Sequence, residues 1–227
     1  MALKIGVIIR LYNGIEFLDE CITSVISQTY REWTCIIGVN GHGKDGNVVH
    51  QRAIEVIKSK NDPRIQVINY PEANGGADIL NRLVHDTEAE WIAVLDVDDI
   101  WDMNKLENQV RVIHTVIPVP DIIGTGCVYF GDRDYSPGLP EGFIDKEVFE
   151  EKNPILHSSV VMRKCIANYR NIVYLHDYDL WCRLSLENKV FFNLPEVLTA
   201  HRIHEDSFYN NKNSDMVDEL RAIYFKK

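Results

Sequence analysis

The sequence predicts an α/β fold built on a mostly parallel central sheet flanked by helices. Three observations carry that prediction. Short apolar runs alternate with helical periodicities through the first 120 residues, and each run ends in a turn rich in Gly, Asn or Asp. The run Trp91 to Leu95 is apolar without interruption, the pattern of a strand buried on both faces. It ends in three carboxylates, Asp96, Asp98 and Asp99.

Lys4 to Arg10 reads as the first strand, closing on the turn Leu11-Tyr12-Asn13-Gly14. Ile15, Leu18, Cys21, Ile22, Val25 and Ile26 then recur at helical spacing. Trp33 to Val39 is a second strand, Val48 to Ile57 a helix, and Ile65 to Ile68 a third strand behind the Asp62-Pro63 break. Ile79, Leu80, Leu83 and Val84 form the apolar face of a short helix after Gly75-Gly76. The Asp-ended strand follows, then a helix from Met103 to about Val116, stopped by Pro118 and Pro120. Such alternation gives parallel strands through crossover helices. Ligands of such sheets sit beyond the carboxyl ends of the strands, where the turns at 11–14, 40–46, 70–76 and 96–101 fall.

After residue 120 the rhythm changes. Ile122 to Phe130, Pro154 to Met162 and Val197 to Ile203 read as strands. His176 to Leu186 reads as a helix and Asp215 to Tyr224 as a closing amphipathic one, while Gly131 to Gly142 is a loop. No repeat, low-complexity tract or linker divides the chain. Residues 1–227 are therefore expected to form one domain with halves at 1–120 and 121–227.

Composition narrows the partners. A count of 24 Lys+Arg against 34 Asp+Glu gives a net charge of −10 without a basic run, which argues against nucleic acid. The five cysteines (21, 35, 127, 165 and 182) show no CxxC spacing and read as free thiols of a reducing compartment. Met-Ala-Leu-Lys-Ile-Gly enters a strand pattern at once, without a signal-peptide pattern. No apolar run approaches the roughly 20 residues of a membrane span. A cytoplasmic protein with no membrane span is expected, of unassigned oligomeric state.

Side chains two apart in an extended strand share a face, so Asp96 and Asp98 are expected to converge. Two carboxylates so placed suit a hard divalent cation, Mg²⁺ or Mn²⁺, of the kind shared with phosphates. One of Asp98, Asp99 or Asp102 is expected to cap the next helix. The loop Gly41 to Gly46 spells GxGxxG, and Gly38 to Lys44 spells most of a phosphate loop. Both readings fail: the loop follows the second strand, Asp45 replaces the needed hydroxyl, and no ribose-binding acid ends strand three. No His or Cys pair has zinc-site spacing. His201 and His204 follow a strand in a polar stretch. Asp177 and Asp179 open a helix, one to serve as its N-cap and the other free to act as a general base.

In this order the segments resemble family 2 of the inverting glycosyltransferases, which share the GT-A fold. That fold pairs a Rossmann-like, mostly parallel sheet with a smaller mixed acceptor-side half. The resemblance covers about residues 4 to 207. It is carried by Ile5–Asn13, Ser24–Tyr30, Gly75–Asn81, the DxD segment Leu95–Trp101, Asn153–Ser159, Asp177–Trp181 and Arg202-Ile-His204. It implies sugar transfer from a nucleotide-diphosphate donor to a hydroxyl of a glycan, lipid-linked or protein acceptor, with inversion. It also implies Mn²⁺ or Mg²⁺ on Asp98 and His204, and Asp96 at the ribose or in the metal's shell. Leu11, Tyr12 and Asn40 would seat the nucleobase, and Asn81 would belong to the donor side. Asp177 would be the base, with His157, His176 and Trp181 on the acceptor side. The loop at 131–142 would order over bound donor. Asn40-Gly41 stands in place of the family's Asp-Asp, His176 in place of a Glu, and Leu80 in place of an Arg. The departures at 40–41 and 176 motivate a second expectation, a catalytically inactive nucleotide-sugar or glycan-binding module.

Overall fold

The computed structural model describes residues 2–43, 47–172, 175–205 and 214–225. Its strands are β1 (Ile5–Leu11), β2 (Trp33–Asn40), β3 (Ile65–Tyr70), β4 (Trp91–Asp96), β5 (Ile100–Trp101), β6 (Ile122–Gly131), β7 (Gly142–Phe143), β8 (Val161–Arg163) and β9 (Phe191–Ile203). Its helices are α1 (Leu18–Ile26), α2 (Val48–Lys60), α3 (Gly76–Asp86), α4 (Lys105–Thr115), α5 (Lys146–Glu151), α6 (His176–Leu186) and α7 (Ser214–Tyr224). The sheet order is β3-β2-β1-β4-β8-β6-β9-β5, with β7 on β9. The first half pairs in parallel, as its alternation predicts. The second half is mixed, because the short β8, β5 and β7 enter antiparallel.

Period-two alternation sorts the side chains into two cores. Ile5, Val7, Ile9 and Leu11 of β1, with Trp91, Ala93 and Leu95 of β4, join one cluster with Leu18, Ile22 and Val25 of α1. Ile8, with Ile92 and Val94, joins the other, with Leu80 and Leu83 of α3 and Leu180 and Trp181 of α6. Both faces of the central strands are covered, which is why β4 is apolar without a break.

Four sequence expectations are corrected. Pro154 to Met162 is not one strand: His157–Ser159 is a 3₁₀ turn and only Val161–Arg163 pairs. The Ser159 hydroxyl and amide both donate to Leu156 O, at 2.7 and 3.0 Å, so local bonds displace the ladder. The pair Asp96 and Asp98 does not sit on one extended face, since β4 ends at Asp96 and Asp99 N donates to Asp96 O (3.1 Å) across a turn. Nor does either Asp177 or Asp179 cap α6, whose N-cap is Leu175. The expected acidic cap of α4 fails in the same way: its N-cap is Asn104, and Asp102 only accepts from Asn104 N, at 2.8 Å.

The loop after β6 is tied across: Tyr135 exchanges backbone hydrogen bonds with Tyr129, and Asn193 Nδ2 donates to Pro140 O. Helix α7 packs on α6 through Leu220 against Leu175, Tyr178 and Cys182. Among the described residues no helix is long and apolar enough to cross a membrane. The five cysteines are free thiols, all buried but Cys165.

Candidate active site

On the face that carries Ile8 and Val94, the same parity brings Asn40, Arg10 and Asp96 to the carboxyl edge of β2, β1 and β4. Arg10 and Asp96 are register partners. Arg10 Nε donates to Asp96 Oδ1 at 3.0 Å. Asp96 Oδ2 lies 3.4 Å from Ser158 Oγ and 3.5 Å from His157 Nδ1. Burial works against the Asp96 charge, but Arg10 and the His157 contact overcome it and hold the carboxyl well below its usual range.

The turn after β4 is fastened to β9. Ile100 pairs with Ala200, and one residue further along stand Asp99 and His201. His201 Nδ1 lies 2.9 and 3.0 Å from the two Asp99 oxygens, and Arg202 N donates to Asp99 Oδ1 at 2.9 Å. Burial opposes the His201 charge, yet Asp99 outweighs it and raises the ring's pKa to about 9. Just past β9, His204 Nε2 lies 3.1 Å from Asp98 Oδ2. Burial first, then the charges of Asp99 and Asp96, push Asp98 up to about 6. A crowded carboxylate beside an imidazole is a ligand pair that a divalent cation would relieve. Among the described residues no three His, Cys, Asp or Glu side chains form a complete cage. Asp98 and His204 could supply two ligands to such a cation.

On the other side of Arg10 is the start of α6. Asp177 is buried and accepts from Asn153 Nδ2 at 3.1 Å, while Asp179 accepts from Arg183 Nε and from the Tyr224 hydroxyl. Asp177 thus faces the site and Asp179 the scaffold. The positive charge of Arg10 is felt by Asp96, Asp98 and Asp177 together. His176 is held neutral by burial and then by Arg10, its pKa pushed down to about 3. His157 is buried, Nε2 3.1 Å from the Tyr169 hydroxyl, and belongs to the Asp96 network rather than to an open acceptor surface. Trp181 is wholly buried in the second core, so the expectation that it meets the acceptor is corrected.

At the outer end of the row Leu11 is also wholly buried, in the α1 core, which corrects its expected contact with a base. Tyr12 is the half-exposed residue there, its ring stacked on His42 at 5.3 Å. Gly41, at φ +81°, keeps that place open: a Cβ would stand 2.5 Å from the Tyr12 ring. Asn40 is buried, and its Oδ1 has no hydrogen-bond partner among the described residues. Lys44 to Gly46 of the glycine-rich loop lie outside the described residues. Asn81 is occupied elsewhere: its amide donates to Tyr169 O (2.8 Å) and accepts from Tyr169 N (2.9 Å), bracing α3 against the segment before α6.

A sequence model described as glycosyl transferase family 2 matches residues 6–168. TuaG of Bacillus subtilis, a putative teichuronic acid biosynthesis glycosyltransferase, is 32% identical over 222 residues, covering 92% of this chain and 82% of its own. The chain belongs to glycosyltransferase family 2. An uncharacterized glycosyltransferase of Rickettsia typhi is 27% identical over 97% of this chain and 70% of its own. Among solved structures, S. aureus TarS 1-349 in complex with UDP-GlcNAc superposes with a TM-score of 0.77 at 16% identity, over 98% of this chain and 66% of that one. The mannosyltransferase PcManGT from Pyrobaculum calidifontis, in complex with GDP-Man and Mn²⁺, gives 0.68 at 15% identity, over 91% and 59%. These likenesses establish the GT-A fold. The chain spans about two thirds of the TarS chain.

Sequence reasoning missed Arg10, Ser158 and the Asp99–His201 pair. Arg10 carried a signal: it is the one charged residue of β1, on the face of Ile8. For Ser158 and His201 only the tertiary pairing of distant segments brings the contact.

Proposed function

We propose that this transferase moves a sugar from a nucleotide-diphosphate donor to an acceptor hydroxyl, with a divalent cation and with inversion. The observation that carries the reading is the convergence of Asp98–His204 and Asp177 on the Arg10–Asp96 pair. The nucleotide sugars and Mn²⁺ named for TarS and PcManGT support the donor class and the metal.

In this reading the base stacks on Tyr12, and the buried Asn40 Oδ1 accepts an N–H from its edge. Asp96, held on both oxygens, meets the ribose. Asp98 and His204 hold Mn²⁺ or Mg²⁺, which supplies positive charge to the departing diphosphate. Asp177 takes the proton of the acceptor hydroxyl as its oxygen attacks the anomeric carbon from the face opposite the leaving group. The new carbon–oxygen bond forms while the bond to phosphate breaks, and its electron pair leaves with the nucleoside diphosphate. The acceptor is a glycan, a lipid-linked sugar or a protein.

Calorimetric titration with UDP, GDP, CDP and dTDP, each with and without Mn²⁺, tests the reading. Metal-dependent binding of one nucleotide is expected, followed by transfer from the matching nucleotide sugar. A folded protein that binds none of the four would sink it.

A further inference from the structure

Arg10 is a charge placed where a strand buried on both faces leaves little room for one. It is the one ionisable residue of β1, and Ile8 and Ile9 before it are wholly buried. A cation so placed must be paired. The pairing is directional: Nε donates to Asp96 Oδ1 at 3.0 Å, while the other Asp96 oxygen faces Ser158 and His157. The guanidinium extends over the start of α3, where a Cβ on Gly76 would stand 2.5 Å from Arg10 Nη1. Other neighbours of that Cβ would lie at ordinary distances, the nearest being His176 Cε1 at 3.6 Å. Gly76 is the first residue of α3. A side chain there would make the Arg10 guanidinium shift from its present seat.

We propose that Arg10 is a positioning residue for sugar transfer, seated by the bare Gly76, and that it fixes the Asp96 carboxylate in the orientation the donor meets. What is positioned rests on the glycosyltransferase reading, whereas the Arg10–Asp96–Gly76 geometry does not. A planar fork with a fixed donor direction suits this task, and a flexible ammonium does not.

The test has a ligand-free arm and a ligand arm. In the ligand-free protein, ¹H–¹⁵N spectra should show a slowly exchanging Arg10 Nε–H resonance, assigned by its absence in Arg10→Lys. Asp96→Asn should abolish its protection, and Gly76→Ala should shift or broaden it. In the ligand arm, binding of the nucleoside diphosphate with Mn²⁺ should weaken tenfold or more in Arg10→Met. Gly76→Ala should reproduce most of that loss, and the double variant should bind no worse than Arg10→Met alone. Arg10→Lys should bind better than Arg10→Met, restoring charge without direction. Gly76→Ala keeps the test decisive should Arg10→Met fail to fold. An unprotected Arg10 resonance in the folded wild type overturns the proposal. So does a Gly76→Ala protein with unchanged spectrum and affinity, or a loss that adds to that of Arg10→Met. A protected resonance that responds to Gly76→Ala, in a protein that binds no nucleotide, upholds the positioning geometry and brings down the donor reading instead.

Discussion

The ring of His201 bridges both oxygens of the wholly buried Asp99, at 2.9 and 3.0 Å, and so ties the turn after β4 to β9. This contact brings His204 to Asp98 from more than a hundred residues away. It also makes the stability of the fold depend on pH. The His201 pKa is about 9 in the folded protein, above its ordinary value of 6.5. The folded state then binds the proton more tightly, so the contribution is complete below the ordinary value and is lost as pH rises through 9. Lys105 acts in the opposite direction, since burial pushes its pKa well down. Comparison of the wild type with His201→Gln cancels that term. The gap between their denaturation midpoints should be widest near about pH 6 and shrink by about pH 10. A gap independent of pH would mean that the bridge is not an ion pair.

The second prediction concerns Asp98, which burial, Asp99 and Asp96 crowd until its pKa reaches about 6. A carboxyl whose folded pKa is raised destabilises the fold as pH climbs from its unfolded value through the folded one. With chelator present at neutral pH, Asp98→Asn should therefore be more stable than the wild type, by about 1–2 kcal/mol. The same variant should lose the Mn²⁺-dependent part of nucleotide binding. Thermal melts in chelator and titrations with Mn²⁺ read the two effects separately. Destabilisation in chelator would show that Asp98 is a structural acid.

The early strands were legible because each has one period and two covered faces. Ile8 and Ile9 of β1 enter different cores, and a run of alternating destinations reads as apolar throughout. The DxD turn was locatable in the sequence, but its geometry was not legible there. Its carboxylates were expected to share an extended face, whereas the chain turns after Asp96 and sends Asp96 to Arg10 and Asp98 to His204. Leu11 and Trp181 misled for a common reason. Each adjoins candidate site residues in the sequence, but its own side chain follows the apolar parity of its strand or helix into the core. The segment at 154–162 was apolar enough for a strand, yet Ser159 satisfies its donors locally. Such competition is decided by geometry that spacing does not carry.

Asn40 gives a third prediction. A buried carbonyl oxygen without a partner costs stability until a ligand supplies the donor. Asn40→Leu, which keeps the branched shape without the polar atoms, should raise the stability of the ligand-free protein by about 1 kcal/mol and weaken nucleotide binding about tenfold. Melting and calorimetry on one preparation suffice. Equal affinity for the nucleotide in both proteins would remove Asn40 from the base contact and leave Tyr12 alone there.

The last prediction separates binding from chemistry. Asp177 opens α6, where the helix N-terminus favours negative charge, and Asn153 steadies its Oδ2 at 3.1 Å. Asp98, in the turn after β4, and His204, just past β9, meet away from α6, so in the proposed reading the nucleotide and its cation are held without Asp177. Asp177→Asn keeps the shape and an oxygen for Asn153 but cannot take a proton. Nucleoside diphosphate affinity should stay within about twofold, while transfer falls by roughly 10²- to 10⁴-fold, the range for a lost general base. Affinity that falls with turnover would instead place Asp177 at the donor. Turnover that survives would leave proton removal to another group, and His176 beside it, its pKa pushed down to about 3 by burial and Arg10, would be the first to exchange.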